Sequence, residues 1–147
     1  MEFRHHAEED GWKSEGTVHL LGCDLGVLLA DETGDEFESQ QRLLTFALKS
    51  IPSQEAECRL QMLSYYREAC EDFPDLVGSE LLPVIEDPSS LGEVYGFSML
   101  EIPQQMEGRG ITFVIWGGCT WDEEHGIQLF FRDGVLERID SGAALWY

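Results

Sequence analysis

Sixteen polar, aperiodic residues open the chain, with only Phe3 and Trp12 able to anchor anything, so residues 1–16 read as a polar arm or an early edge strand. From Thr17 the pattern changes. Val18, Leu20 and Leu21, then Val27, Leu28 and Leu29, form two short apolar runs around Gly22-Cys23-Asp24, which predicts a strand pair or one bent strand. The acidic turn Asp31-Glu32-Thr33-Gly34 ends it.

Helical spacing follows. Asp35 stands three residues before Glu38, an acidic variant of a capping box, and Phe37, Leu44, Ala47, Leu48 and Ile51 recur near a 3.6-residue period behind it. Pro52-Ser53 predicts a break and restart, because proline disfavours helical geometry in the residue before it and Ser53 can cap a second helix. Ala56, Leu60, Leu63, Tyr66, Cys70 and Phe73 then trace an apolar stripe that ends at Pro74. The short link between the stripes implies two antiparallel or steeply angled helices covering one face of something else.

In the C-terminal half, past Leu81-Leu82-Pro83-Val84-Ile85 and the turn-like Asp87-Pro88-Ser89-Ser90, the period becomes two. Val94 to Ile102 alternates, Ile111 to Trp116 is β-branched and aromatic, and the intervening residues 104–110 read as a flexible loop. Ile127 to Phe131 and Val135 to Ile139 flank Arg132-Asp133-Gly134, where Asp-Gly supplies the positive φ angles of a tight hairpin. Helices grouped before strands give an α+β class: two helices packed on a largely antiparallel sheet with a C-terminal four-strand meander. Residues 17–147 form one domain in this reading, with no repeat, low-complexity tract or linker.

Composition adds little to this picture except for charge. The chain has 147 residues, enough for one ordinary core, but its 29 acidic residues against 9 basic ones leave a formal net charge of −20. Nucleic acid is disfavoured as a partner, because affinity for phosphate comes from Lys and Arg. Anionic membrane surfaces are disfavoured for the same reason, and no apolar stretch is long enough to span a bilayer. A basic protein partner is allowed, since opposite fields steer encounter. Cys23, Cys58, Cys70 and Cys119 are widely spaced and form no C-x-x-C, so buried thiols are expected. The N-terminal residues carry no apolar core of a secretory signal, and a reducing cytoplasm is the expected location.

The segment with the densest chemistry is Trp121-Asp122-Glu123-Glu124-His125-Gly126, between two predicted strands. Together with Gly118-Cys119-Thr120 before it and Phe131-Arg132-Asp133-Gly134 after it, this stretch resembles the C-terminal signature of a small bacterial domain of unknown function, which carries W-D-x-E-H-G ahead of a final hairpin. The resemblance is strongest over residues 94–139. It implies importance for Trp121, Asp122, Glu124, His125 and Gly126, brings no catalytic role, and carries a loose association with accessory genes that include toxin immunity.

The same residues support three readings on their own chemistry. Carboxylates and imidazole are ligands for divalent ions, although adjacent strand residues point to opposite faces and no second ligand motif is present. Glu124 with His125 could share a proton in acid–base catalysis, with Cys119 close in sequence, but no nucleophile motif accompanies them. In the structural reading Trp121 fills the core, a carboxylate caps local N–H groups, His125 meets a carboxylate or carbonyl, and Gly126 takes the bend. No cofactor motif is written in the chain, and none is expected. His5, His6 and His19 have no paired spacing.

The function expected from these features is protein binding, in concrete form the neutralisation of a basic toxin by occlusion. Asp31, Glu32, Asp35, Glu36 and Glu38 would draw the partner in, although acids in a first helical turn also meet the helix dipole favourably. The aromatic pairs Tyr65-Tyr66, Phe130-Phe131 and Trp146-Tyr147 would each leave one ring for dry contact. The alternative is a metal-assisted enzyme centred on Asp122, Glu123, Glu124 and His125.

Overall fold

The computed structural model describes residues 1–142. Its strands are β1 (Phe3–His6), β2 (Gly11–Ser14), β3 (Val18–Leu20), β4 (Cys23–Ala30), β5 (Tyr95–Ile102), β6 (Thr112–Cys119), β7 (Asp122–Arg132) and β8 (Val135–Ser141), with α1 (Phe37–Ser53) and α2 (Glu55–Asp72) between β4 and β5. The architecture is α+β, with a single eight-stranded sheet in the order β1-β2-β4-β5-β6-β7-β8 and β3 paired to β4. Every pairing is antiparallel except β4 with β5, which the two helices connect as a crossover. The C-terminal meander is β5 to β8, as expected, but the sheet is larger than the sequence pattern predicts.

The excess comes from the first residues. The residues read as a polar arm or an early edge strand form a β-hairpin at the sheet edge, with Phe3 opposite Ser14 and Trp12 opposite Leu29, so residues 3–14 extend the same sheet. Polarity hid it, because an edge hairpin buries only part of one face and therefore shows no alternation strong enough to read. Phe3, Trp12 and Phe37 pack ring to ring at 5.7 and 4.6 Å and tie this hairpin to the start of α1.

One buried cluster joins both helices to the inner face of the sheet. Leu25, Val27 and Leu29 of β4 supply alternate positions, as a period of two requires. In β5 the inward residues are Phe97 and then Leu100 and Ile102, since a bulge between Phe97 and Met99 shifts the phase by one. Gln40, buried on α1, donates to Ala30 O at 2.7 Å and to Ile102 O and Pro103 O at 3.2 Å, closing the ends of the parallel pair.

Both helices form where the spacing predicts them, with three differences. No capping box is present: Glu36 is the N-cap of α1 and makes no side-chain cap, while the Asp35 carboxylate accepts from Thr33 Oγ1 instead. Pro52 lies inside α1, and the break comes at Gln54, whose N–H turns back to Ile51 O at 2.9 Å. Proline in the last turn forfeits one hydrogen bond at a point where the helix is about to end in any case. The inner face of α2 is Cys58, Met62, Leu63, Tyr66 and Ala69, whereas Ala56, Leu60 and Phe73 of the predicted stripe are exposed. Leu63 and Tyr66 belong to both phases, and the sheet selects between them: Tyr95 Oη donates to Met62 O at 2.7 Å.

Gln54 also reaches the sheet, its Oε1 accepting from Leu136 N at 3.1 Å. Replacing Gln54 with alanine removes this partner from a strand N–H, and a loss of about 1 kcal/mol in urea denaturation is expected. The β7–β8 turn has φ of 51° at Asp133 and 83° at Gly134, matching the tight hairpin the Asp-Gly pair predicts. Phe130 and Phe131 are both buried, which corrects the expectation of one exposed ring. Phe131 faces the helices, and Phe130 on the other side of the sheet lies under the guanidinium groups of Arg138 and Arg132, 4.4 and 5.3 Å from its centroid. Trp146-Tyr147 lies outside the described residues. Among the described residues, no helix is long and apolar enough to cross a membrane.

Candidate binding cleft

Tyr65, Glu68, Ala69 and Asp72 recur at helical spacing along one face of the last two turns of α2, with Phe73 at its C-cap. Opposite them stand Trp121 and Asp122, at the turn that joins β6 to β7. Together these residues line a cleft of about 380 Å³. Three tyrosines hold the Trp121 indole in place: Tyr95, Tyr66 and Tyr65 have centroids at 5.4, 5.8 and 6.1 Å. The turn itself is moored by Thr120, whose N–H donates to Val94 O at 3.0 Å and whose hydroxyl donates to Leu81 O at 2.6 Å.

Directly after Trp121 the register between β6 and β7 jumps, Gly117 pairing with Ile127 and Cys119 with Asp122. Residues 123–126 therefore have no register partner on β6, and Glu123, Glu124 and His125 form an exposed arch. Asp122 Oδ1 holds the arch, accepting from His125 N at 3.1 Å and facing His125 Nδ1 at 3.2 Å. Gly126 returns the chain to the sheet with φ of 67°. Of the six singled-out residues, the structure brings Asp122 and His125 into contact and places Trp121 in an aromatic cluster, while Glu123, Glu124 and His125 are exposed. Among the described residues no three His, Cys, Asp or Glu side chains gather as metal ligands.

Cys119 is buried, its Sγ 3.9 Å from Asp122 O, and burial raises its thiol above the ordinary range, with the Asp122 charge adding to the effect. That is the opposite of an activated nucleophile. All four cysteines are free, and the buried Cys58 thiol is pushed up to about 12, first by burial and then by Glu57 and Glu55. Alkylation of the native protein near neutral pH, followed by mass spectrometry, is expected to label the half-buried Cys23 and Cys70 well before Cys58 and Cys119.

The carboxylates before α1 divide into two kinds. Asp31 is fully buried, its carboxylate accepting from Trp12 Nε1 at 2.8 Å, Gly34 N at 2.8 Å and Glu36 N at 2.9 Å, so it cannot meet a partner. Burial opposes its ionisation, but the donors of Trp12, Glu36, Gly34 and Thr33 outweigh it and hold the carboxyl below the usual range. Glu32, Asp35 and Glu38 are exposed, and the half-buried Glu36 accepts from Gln104 Nε2 at 3.3 Å.

Glu68, Asp72 and Phe73 had no signal as a site in the sequence. They are ordinary residues at the end of an amphipathic helix, and only their juxtaposition with the β6–β7 turn sets them apart. Burial raises the Tyr65 hydroxyl above its ordinary value, and the acidic groups around it, the Cys119 thiol and the Asp140, Asp122 and Glu68 carboxylates, push the same way. A family model described as a domain of unknown function, DUF6985, matches residues 2–144. The chain belongs to that family. The match includes the N-terminal hairpin, in keeping with its place in the sheet, and extends well beyond residues 94–139. No curated protein and no solved structure matches the chain.

Proposed function

We propose that this family member is a protein-binding domain whose partner is basic. The observation that carries the reading is a surplus of uncompensated carboxylates. Among the described residues Lys and Arg pair in Arg4–Glu15, Lys13–Glu9, Arg59–Glu55, Arg132–Glu137 and Arg138–Asp140, and 9 basic residues are too few to neutralise the 29 acidic ones. Self-repulsion of this size disfavours the compact chain and is relieved when a cationic surface docks. Glu32, Asp35, Glu36 and Glu38 remain candidates for steering such a partner, and Asp31 is withdrawn because it is buried. The concrete form is an immunity-type role, in which a basic toxin is held inactive by occlusion in a reducing cytoplasm.

The test is co-expression with the products of adjacent genes, followed by size-exclusion chromatography at low and high salt. A complex that weakens as salt rises supports the reading, since screening acts on exposed charges. Glu32→Gln with Asp35→Asn and Glu38→Gln is expected to slow association about tenfold at low salt, an effect that fades at high salt. Absence of any basic partner, or association indifferent to salt, overturns it.

A further inference from the structure

The cleft between the end of α2 and the β6–β7 turn has an unusual combination of walls. Three aromatic side chains, Tyr65, Phe73 and Trp121, share it with three carboxylates, Glu68, Asp72 and Asp122, and among the described residues no Lys or Arg lines it. Among the described residues neither Glu68 nor Asp72 has an ion-pair partner. The last turn of α2 contributes no cation either, so the negative end of its dipole adds to the same potential.

Each wall narrows the choice of occupant. An anion would face three carboxylates at close range. A wholly apolar group would strip water from those carboxylates without replacing its hydrogen bonds, which is unfavourable. A cation meets neither objection, and indole is the best aromatic surface for one. Between the two cationic side chains, guanidinium is favoured because its flat face stacks on rings while its edge donates two parallel hydrogen bonds to a carboxylate. Ammonium is more strongly hydrated and presents no flat face. The volume of about 380 Å³ lies at the small end of ligand pockets, which run roughly 300–1,000 Å³. It suits a single side chain rather than a cofactor. Trp121 is already fixed by three tyrosines, so little ordering is needed when a ligand arrives.

We infer that this cleft is the receptor for one arginine side chain of the partner, stacked on Trp121 and paired with Glu68 and Asp72. The inference rests on the basic-partner reading and names the group that partner inserts. It also gives Trp121 and Asp122 a second task besides shaping the chain: they form the wall opposite α2.

The probe is N-acetyl-arginine amide, with N-acetyl-citrulline amide as a neutral isostere and N-acetyl-lysine amide as the alternative cation, each titrated into isotope-labelled protein and followed by the assigned Trp121 indole resonance. The arginine compound is expected to give a saturable shift, the lysine compound a weaker one and the citrulline compound none. Glu68→Gln and Asp72→Asn, both on the exposed end of α2, are expected to leave the melting temperature nearly unchanged and to weaken the arginine titration about tenfold each, the value for losing about 1.4 kcal/mol. No shift with arginine, equal shifts with citrulline, or shifts untouched by both variants overturn the inference. The two proposals fail separately. A salt-sensitive basic partner that binds Glu68→Gln/Asp72→Asn as tightly as wild type overturns the cleft and leaves the reading standing. Arginine binding at Trp121 without any basic protein partner overturns the reading and supports the cleft.

Discussion

Asp31→Ala is expected to destabilise the domain by roughly 3 kcal/mol, because it removes an ionised acceptor shared by several donors at once. Trp12 Nε1, Gly34 N and Glu36 N all end on this carboxylate, and Thr33 Oγ1 adds a longer contact at 3.3 Å. These donors come from β2 and from the turn that leads into α1, so the loss loosens the hairpin and the helix entry together. Asp31→Asn keeps one acceptor oxygen and is expected to cost less. The pH dependence has a definite sign. The folded carboxyl titrates below the ordinary value of about 3.9, so its stabilisation is fully present above that pH and is lost as pH falls through the lower folded value. Urea denaturation of wild type and Asp31→Asn at a series of acidic pH values checks this: the stability gap between them should shrink as pH drops through that window. A gap that stays constant would mean that Asp31 does not ionise differently on folding.

Gly126→Ala is expected to cost about 2–4 kcal/mol, through two effects at one position. A φ of 67° is unfavourable by roughly 1–2 kcal/mol for a residue with a Cβ. The added Cβ would also stand 2.4 Å from Gly117 O, a backbone atom of β6 that cannot move without displacing the strand. For a domain of this size each kcal/mol lowers the melting temperature by roughly 2–4 °C, so a drop of about 5–15 °C is the readout. Glu124→Ala in the same arch is the control. That side chain is exposed, and a change within about 0.5 kcal/mol is expected. Equal losses in the two variants would mean that the arch depends on its side chains rather than on its backbone path. A neutral Gly126→Ala would mean that the register jump relaxes.

The two residues also show how far local sequence can be read. Gly126 stood out beforehand because it follows a run of polar residues between two strand patterns, a position where a bend is expected. Asp31, the first of five acids near a helix start, reads as surface charge in the sequence and is buried in the fold. A carboxylate in an acidic run looks like surface charge, and nothing nearby in sequence announces that Trp12, 19 residues earlier, donates to it. Burial of a charged group depends on donors gathered from elsewhere in the fold, which makes it a tertiary property. The cleft was legible on one side only. Trp121 and Asp122 were singled out as part of a motif, whereas Glu68 and Asp72 were anonymous acids on a helix.

Periodicity by itself determined the existence and order of two helices followed by four strands, the Asp-Gly hairpin and the strongly acidic character, because 3.6- and two-residue spacings and formal charge are properties of neighbours along the chain. Tertiary packing alone decided which face of α2 turns inward, where β5 changes phase, that residues 3–14 form a two-stranded hairpin rather than an arm or one edge strand, and that Asp31 is buried. Each of these depends on which partner surface removes a residue from water, and that surface is built from residues distant in the sequence. The cleft follows the same rule, since α2 and the β6–β7 turn acquire a shared chemistry only when folding sets them face to face.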